Sequence, residues 1–275
     1  MSDPDAATVP PKPFTSGFND ASYEQGDIAI MDVALARVLM SFKKFSWNGE
    51  LIIQFNEAGL LILCVDPAHV AMRMLTVPEG KYLTILQEVD VMMDVTDLKP
   101  LLVNRRKGLL TIGFKKVPSK VPGSTHKAER IVLRAGRHGF SYDKMDCMGM
   151  SRPKMPVLTK SNQYQVARMP FKEALTFVKT LASHVSLTGN GEGVLLDAQG
   201  DTKGYDCYLP SETLKVDNGG VRSLFSLDLL TWSLEALTYV KTFKMELGQD
   251  YPLVMTAERF GGLDTLLLAP RIENE

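Results

Sequence analysis

The sequence is poor in the residues that build disulfide-bonded or metal-held scaffolds. Its 275 residues include three cysteines and four histidines. Cys64, Cys147 and Cys207 are odd in number and lie far apart, so they predict neither a disulfide framework nor a C-x-x-C metal site. The histidines show no metal-ligand spacing either. We therefore expect no metal and no cofactor, and the scattered thiols favour a reducing compartment.

Long apolar runs and an excess of one charge sign are also missing. The longest apolar stretches, such as residues 60–65, fall far short of the roughly 20 residues that cross a bilayer, so no membrane partner is expected. There are 31 basic and 32 acidic residues, a formal net charge of −1. This balance excludes a uniformly basic nucleic-acid-binding coat, although it leaves room for a local basic face. The N-terminus shows no secretory signal pattern, which favours a cytoplasmic or nucleoid-associated protein, or a nuclear one in a eukaryotic host.

The chain is rich enough in apolar residues for two domains. With 45% hydrophobic and 23% charged residues, it has the composition of an ordinary soluble globular protein. Residues 1–23 are rich in proline and small polar residues and have no apolar period, which predicts a mobile tail. Gly149, Pro153 and Pro156 interrupt a second irregular stretch. We predict an N-terminal domain over 24–144, a connector over 145–162 and a C-terminal domain over 163–275.

The two predicted domains repeat the same order of signals. Each opens with an amphipathic helix, continues with short alternating strands after a glycine (Gly59 or Gly193), and then has a second helix followed by more strands. The predicted helices cover residues 33–45 and 98–107 in the first half, and 171–185 and 227–238 in the second, with Asp97 and Ser226 as N-caps of the second helix in each half. A nearly constant offset between equivalent positions predicts a duplicated α+β unit, with two helices packed on antiparallel sheets in each domain.

The first predicted helix illustrates how basic residues are arranged. Leu35, Val38 and Phe42 belong to an apolar stripe at helical spacing, and Arg37 and Lys44 lie on the opposite face. The four predicted helices together carry a net charge of +6, which leaves −7 for the rest of the chain. A basic helical layer would attract a phosphate backbone without reading bases, but the same residues are also typical of ordinary solvated helix faces. Charge alone leaves both interpretations open.

Several short motifs carry a resemblance to a known family. The segment from Leu60 to Pro78 (LLILCVDPAHVAMRMLTVP), with Asp66, His69 and Val70 as a D-x-x-H-V core, occurs together with DYPLVM from Asp250 and the terminal LLLAPRIE from Leu266. In this order and separation, the motifs resemble the sliding clamp family, that of proliferating cell nuclear antigen and its archaeal counterparts. The resemblance covers the chain from about Glu24 to Glu275.

The resemblance implies a homotrimeric ring with helices lining the hole and sheets outside. It implies sequence-independent contact with double-stranded DNA through Arg37, Lys43, Lys44, Lys99, Arg106, Lys172 and Lys179. The fourth helix departs from the family pattern, because Glu235 stands where a basic residue is usual. Either Lys241 and Lys244 compensate for it, or DNA contact is weaker there.

The resemblance also implies a pocket beside the connector that accepts short peptide motifs of DNA polymerase, ligase and nucleases. The matching positions are Val65, His69, Met72, Met155, Leu158, Pro252, Ala269 and Pro270. His69 could instead be a structural histidine. A clamp loader, which opens such rings, is a further implied partner.

Ring closure requires exposed strands that pair between subunits. The family pattern places these edges at residues 129–135 and 203–209. The implied interface residues are Arg130, Val132, Arg134, Tyr205 and Cys207.

An enzyme is the rival class of function. GNGEG at residues 189–193 lacks the Lys-Ser/Thr ending of a phosphate-binding loop and is typical of a hairpin turn, and no nucleophile motif is present. We expect no catalytic residue. The sequence favours a clamp that acts as a polymerase processivity factor, and the alternative is a subunit of a specialised checkpoint or heterotrimeric clamp.

Overall fold

The structure is a computed structural model that describes residues 24–118, 127–145, 153–156, 161–217 and 219–271. Within this part of the chain, the first half begins at β1 and ends at β9. Its elements are β1 (Gly26–Asp32), α1 (Val33–Met40), β2 (Glu50–Asn56), β3 (Gly59–Val65), β4 (Ala71–Val77), β5 (Leu83–Ile85), β6 (Val89–Asp94), α2 (Leu98–Leu102), β7 (Leu109–Pro118), β8 (Lys127–Ala135) and β9 (His138–Asp143). Two 3-10 turns, Ser41–Phe45 and Val95–Asp97, extend α1 and precede α2.

The second half repeats this order element for element. Its elements are β10 (Asn162–Ala167), α3 (Arg168–Val178), β11 (His184–Asn190), β12 (Gly193–Gln199), β13 (Gly204–Leu209), β14 (Ser211–Lys215), β15 (Val221–Ser226), α4 (Leu227–Ala236), β16 (Thr242–Leu247), β17 (Leu253–Arg259) and β18 (Gly262–Leu268). The predicted duplicated α+β fold is therefore confirmed. The GNGEG segment forms the β11–β12 hairpin turn, in which Asn190 Oδ1 accepts hydrogen bonds from the backbone N–H groups of Glu192 and Gly193.

The strands form three antiparallel sheets. One sheet has the order β5-β1-β7-β8-β9, and another has the order β13-β12-β11-β15. The third has nine strands in the order β14-β10-β16-β17-β18-β4-β3-β2-β6, so it contains strands from both halves and joins them where β18 pairs with β4. This junction, together with the neighbouring contact between the Ser41–Phe45 turn and α4, is called the seam below.

The nine-stranded sheet shows how the two halves are related. Its five strands from β14 to β18 are the second-half equivalents of β5-β1-β7-β8-β9, and its four strands from β4 to β6 are the first-half equivalents of β13-β12-β11-β15. The seam therefore joins one complete five-strand unit to one complete four-strand unit. The other two sheets are one five-strand unit and one four-strand unit, and among the described residues these two sheets do not pair with each other.

The helices follow the predicted apolar stripes but are shorter than predicted. The predicted helix 33–45 is α-helical to Met40 and continues as a 3-10 turn to Phe45. The prediction 98–107 is wrong beyond Leu102, because the following residues Val103 to Gly108 offer no apolar face and Asn104 takes a left-handed φ of 60°. The Asp97 side chain makes no capping bond; instead Asp94 Oδ1 accepts from the Thr96 N–H, 2.8 Å away.

The second-half helices need similar corrections. The prediction 171–185 is displaced, since α3 starts three residues earlier, with Pro170 in its first turn, and ends at Val178. Val185 is instead a buried residue of β11. The helix predicted over 227–238 ends at Ala236, and Ser226 occupies its N-cap position without a side-chain hydrogen bond.

One predicted sheet edge is wrong and the other is confirmed. The strand over residues 129–135 lies inside β8, which pairs with β7 on one side and β9 on the other. The edge of that sheet is β9, which only two residues separate from β8. A short strand of exposed polar and aromatic residues gives a weak sequence signal, and the prediction stopped one hairpin too early. In contrast, β13 is the edge of its sheet as predicted.

Candidate functional site

The four helices form one layer on the sheets. α1 contacts α2, the Ser41–Phe45 turn contacts α4, and α4 contacts α3, so the row runs α2, α1, α4, α3. Buried apolar residues such as Leu35, Phe171 and Leu230 attach the helices to the sheets. The exposed side of this row is called the helical face below. The predicted DNA-binding residues that are exposed on or beside its helices are Lys43, Lys44, Lys99, Arg106, Lys172 and Lys179.

Arg37 differs from the other predicted DNA-binding residues because its side chain is half-buried. Its Nη2 donates a hydrogen bond to the Leu102 carbonyl oxygen at 3.1 Å and another to the Arg105 carbonyl oxygen. The last carbonyls of a helix lack partners inside the helix and favour a nearby cation. Arg37 therefore joins α1 to the C-terminal end of α2, and its guanidinium has two backbone partners in addition to any contact with a phosphate.

Lys44 also has a partner, and that partner is the residue that breaks the family pattern. Lys44 Nζ lies 2.8 Å from Glu235 Oε2, and both side chains are about half exposed. The same ammonium lies 5.2 Å from the ring centroid of Trp232. Of the two lysines expected to compensate for Glu235, Lys244 is half-buried and lies 3.1 Å from Glu246, whereas Lys241 is exposed.

A buried polar cluster lies beneath the helical face at the seam. Arg73 Nε and Nη2 donate to the two carboxylate oxygens of Asp264 at 2.9 and 2.8 Å, and both side chains are fully buried. Arg259 pairs with the same carboxylate. The Arg73 guanidinium carbon also lies 3.9 Å from the Phe42 ring centroid, and its Nη1 donates to Ser41 Oγ at 2.7 Å. The cluster therefore ties β4 to β18 and to the turn after α1.

Burial sets the protonation of these side chains. Desolvation lowers the pKa of both Arg73 and Arg259 to about 9, and neighbouring cations add to the effect at Arg259. Both guanidinium groups are still charged at neutral pH. Desolvation raises the pKa of the nearby Cys64 thiol to about 12, although the Arg73 charge opposes the rise. The sequence analysis missed this cluster, but the alternation of β4 already places Arg73 on the buried side with Ala71 and Leu75.

The predicted peptide-binding residues lie at one end of the seam. The turn between β3 and β4 is built on Asp66, whose carboxylate accepts hydrogen bonds from the backbone N–H groups of Ala68, Val70 and Ala71 at 2.6 to 3.0 Å. His69 has a φ of 58° and is exposed, so it is not a buried structural histidine.

The strand register brings the other described positions to the same end. The Ala269 N–H donates to the Val70 carbonyl at 2.8 Å, and Met72 lies opposite both Leu267 of β18 and Val65 of β3. Pro252 adjoins Leu253, which pairs with Leu268, and Pro270 follows two residues after Leu268. Met155 is half-buried, whereas Leu158 and most of the connector lie outside the described residues, as does the tail 1–23.

The two free edges β9 and β13 carry aromatic residues. Phe140 and Tyr142 of β9 have ring centroids 6.0 Å apart, and Tyr205 of β13 stacks on Phe177 of α3 at the same distance. Phe140 and Phe177 are 42% and 65% exposed. Exposed apolar residues that lie together on a surface mark interaction sites.

The other predicted interface residues lie on two different strands. Cys207 belongs to β13, as predicted for an edge. Arg130, Val132 and Arg134 belong to the inner strand β8, so their assignment to a sheet edge is wrong. Arg130 instead lies 2.9 Å from Asp143 of β9, and Arg134 lies 2.9 Å from Asp27 of β1.

Two features that are typical of other classes of protein are absent from the described residues. They contain no helix long and apolar enough to cross a bilayer. They also contain no group of three or more His, Cys, Asp or Glu side chains arranged to hold a metal ion.

Comparison with known proteins identifies similar chains of nearly the same extent. No protein-family profile matches the chain. The DNA polymerase sliding clamp of Methanothrix thermoacetophila is 28% identical over 234 residues, and that of Archaeoglobus fulgidus is 27% identical over 243 residues. In both cases the match covers 82% of this chain and 91% of the relative.

Solved structures show the same architecture. The structure of the C-terminal region of FEN-1 bound to A. fulgidus PCNA matches with a TM-score of 0.76 and 22% identity, over 91% of this chain and 100% of the matched chain. The crystal structure of proliferating cellular nuclear antigen from Entamoeba histolytica matches with a TM-score of 0.71 and 17% identity, over 90% and 100%.

Proposed function

We propose that this chain, a member of the DNA polymerase sliding clamp family with the fold of PCNA, forms a homotrimeric ring around duplex DNA and tethers replication and repair enzymes to it. The observation that carries the proposal is the seam. It joins a five-strand unit to a four-strand unit through β18 and β4, and the chain presents a second unit of each kind with the equivalent edges β9 and β13 free among the described residues. A neighbouring copy would complete both.

The seam also supplies a register for the contact between copies. His138 occupies in the β8–β9 hairpin the position that Gly262 has in the β17–β18 hairpin. In the same way, Leu209 occupies in the β12–β13 pair the position that Val77 has in β3–β4. These two equivalences transfer the pairing of β18 with β4 to β9 and β13.

The transferred register has definite residue pairs. Asp264 faces Leu75 and Leu266 faces Arg73 at the seam, so Phe140 faces Cys207 and Tyr142 faces Tyr205 of the neighbouring copy. Phe140 and Tyr142 would then meet Tyr205 and the Phe177 ring that stacks on it in one aromatic cluster. Since this edge-to-edge contact is head-to-tail, it generates a ring when the rotation closes, and we propose closure at three chains and six similar units.

The helical face then lines the hole. Lys43, Lys99, Arg106, Lys172 and Lys179 would contact phosphates without reading bases, and the affinity would fall steeply with salt. Such contacts exchange readily with water and ions, which suits a ring that slides. A client enzyme held on the ring would rebind DNA as an intramolecular event at high effective concentration.

The end of the seam with His69 and Ala269 is the proposed docking surface for partners. A short peptide from a DNA polymerase, ligase, nuclease or clamp loader would place apolar and aromatic anchors beside Val65, Met72 and Pro252. The Asp66 carboxylate holds its turn through hydrogen bonds from three backbone N–H groups, so the turn would present this surface without rearrangement. We propose a non-catalytic protein that works in the compartment containing the DNA.

Cross-linking between copies tests the proposed ring. Phe140→Cys places a thiol opposite Cys207 of the neighbour, and facing residues of an antiparallel pair have Cβ atoms about 4.5 to 5.5 Å apart, near the span of a disulfide. We expect a covalent trimer after mild oxidation, seen by non-reducing electrophoresis. Ser141→Cys, which points to the other sheet face, is the matched control and should cross-link poorly.

Two further measurements complete the test. Adding Cys207→Ser to Phe140→Cys should abolish the cross-link. Light scattering of the unmodified protein should give three times the 30.5 kDa chain mass, and Tyr205→Asp should give monomers. A cross-link at Ser141→Cys with none at Phe140→Cys, or a trimer that Tyr205→Asp leaves intact, contradicts the proposed interface.

A further inference from the structure

On the helical face, the acidic residue Glu235 lies across the seam from the basic residue Lys44. It belongs to α4 in the second half, and its partner Lys44 lies in the Ser41–Phe45 turn of the first half, 191 residues away in sequence. Trp232 lies one turn before Glu235 on the same side of α4, so one helix supplies both a carboxylate and an aromatic ring to the same ammonium.

We propose that Glu235 withholds Lys44 from DNA and lowers the positive charge at the middle of the helical face. The inference rests on the proposed function, because it concerns how the ring contacts duplex. A lysine whose charge is already balanced by a carboxylate at 2.8 Å replaces few counterions when a phosphate approaches, so it adds little to the salt-dependent part of the affinity. Trp232 holds the ammonium toward α4 by a cation–π contact.

The pair is poorly placed to serve stability instead. Its side chains are 46% and 50% exposed, and exposed ion pairs of this kind contribute little to folding. The seam is already held by the β4–β18 ladder and by the buried Arg73–Asp264 pair. Removing the Glu235 charge should therefore leave the fold and the assembly intact, while changing the charge presented to DNA.

The charge pattern that results has a mechanical consequence. Exposed cations are retained at both ends of the helical row, with Lys99 and Arg106 beside α2 and Lys172 and Lys179 on α3. At the centre Lys43 is exposed, while Lys44 contributes little. With fewer simultaneous phosphate contacts, fewer contacts have to break at each sliding step. Glu235 would in this way favour mobility over affinity.

Binding of a fluorescent linear duplex, measured by anisotropy over a range of potassium chloride concentrations, tests the proposal. Glu235→Gln removes the charge and keeps the shape. We expect it to raise affinity by about threefold or more at 50 mM salt, and to steepen the slope of log affinity against log salt by about 0.9 for each Lys44 of the ring that gains a phosphate contact. Glu235→Asp keeps the charge and should stay close to the wild type.

A double-mutant comparison identifies Lys44 as the residue released. Lys44→Gln should reduce affinity much more in the Glu235→Gln background than in the native one, and it should remove the added slope. Glu173→Gln on α3 is the matched control, since it removes one exposed acidic charge from the same face away from Lys44. Its effect should be smaller and should not depend on Lys44.

The outcomes separate the two proposals. If Glu235→Gln leaves affinity and slope unchanged, or if its gain survives Lys44→Gln, Glu235 does not act through Lys44 and this inference is wrong although the clamp stands. If the wild type shows no salt-dependent duplex binding, and Lys172→Gln changes nothing, the proposed function fails and takes this inference with it. Light scattering and the thermal midpoint verify that each variant is assembled and folded.

Discussion

The buried cluster at the seam makes an asymmetric prediction about stability. Asp264 is a single carboxylate that faces two guanidinium groups, those of Arg73 and Arg259. Arg73→Met leaves the carboxylate with one cation and places an apolar chain against Phe42. Asp264→Asn leaves both cations without a counterion, and one of them, Arg73, is fully buried. The carboxylate variant should therefore be the more damaging of the two.

The magnitudes follow from what each variant leaves behind. Removing one partner of a buried ion pair typically costs about 3 to 5 kcal/mol, because an uncompensated charge stays in the interior. We expect Asp264→Asn to lie at the upper end and Arg73→Met at the lower end, since Arg259 still balances the carboxylate in the latter. The double variant Arg73→Met with Asp264→Leu leaves Arg259, which still donates to the Ala236 and Thr238 carbonyls. It should recover much of the loss.

Urea unfolding followed by circular dichroism, at one fixed protein concentration because assembly adds to stability, measures these differences. For a chain of this size, 1 kcal/mol corresponds to roughly 2 to 4 °C in the thermal midpoint, so the single variants should also differ visibly in a melting curve. The reasoning is refuted if Asp264→Asn is tolerated better than Arg73→Met, or if the double variant is as unstable as the two losses added together.

Three further predictions concern Asp66, Lys172 and Cys64. Asp66→Ala removes three hydrogen bonds from the β3–β4 turn, so it should lower the free energy of unfolding by about 3 kcal/mol, whereas His69→Ala should have a much smaller effect on folding. Asp66→Ala should also weaken binding of a partner peptide, measured by calorimetry. Lys172→Gln should lower the slope of log duplex affinity against log salt by about 0.9 for each Lys172 of the ring that contacts a phosphate, and an unchanged slope would remove this residue from the DNA contact. Burial raises the pKa of Cys64 to about 12, so this thiol should resist a thiol reagent at pH 8 until the protein is unfolded in urea. The test uses a variant that retains Cys64 and lacks the other two cysteines. Labelling of this variant in its native state would contradict the described burial.

Much of the fold is predictable because its signals are local. The apolar stripe of α1, the glycine that opens β3 and β12, and the repeated order of helices and strands depend on neighbouring residues alone. Helix ends are less predictable, since Val185 has helical spacing from α3 but is required by β11. The exposed lysines of the helical face follow from the same stripes, because whatever does not face the sheets faces outward.

The sequence by itself determined the duplicated unit, the family resemblance and the basic character of the helices, since these depend on spacing along the chain. Tertiary structure decided which strand is an edge and which charges meet. β9 is the edge of its sheet because β8 pairs on both sides, and Lys44 and Arg73 have their partners 191 residues away in sequence. Contacts at that separation are set by the packing of one half on the other, which no local pattern encodes.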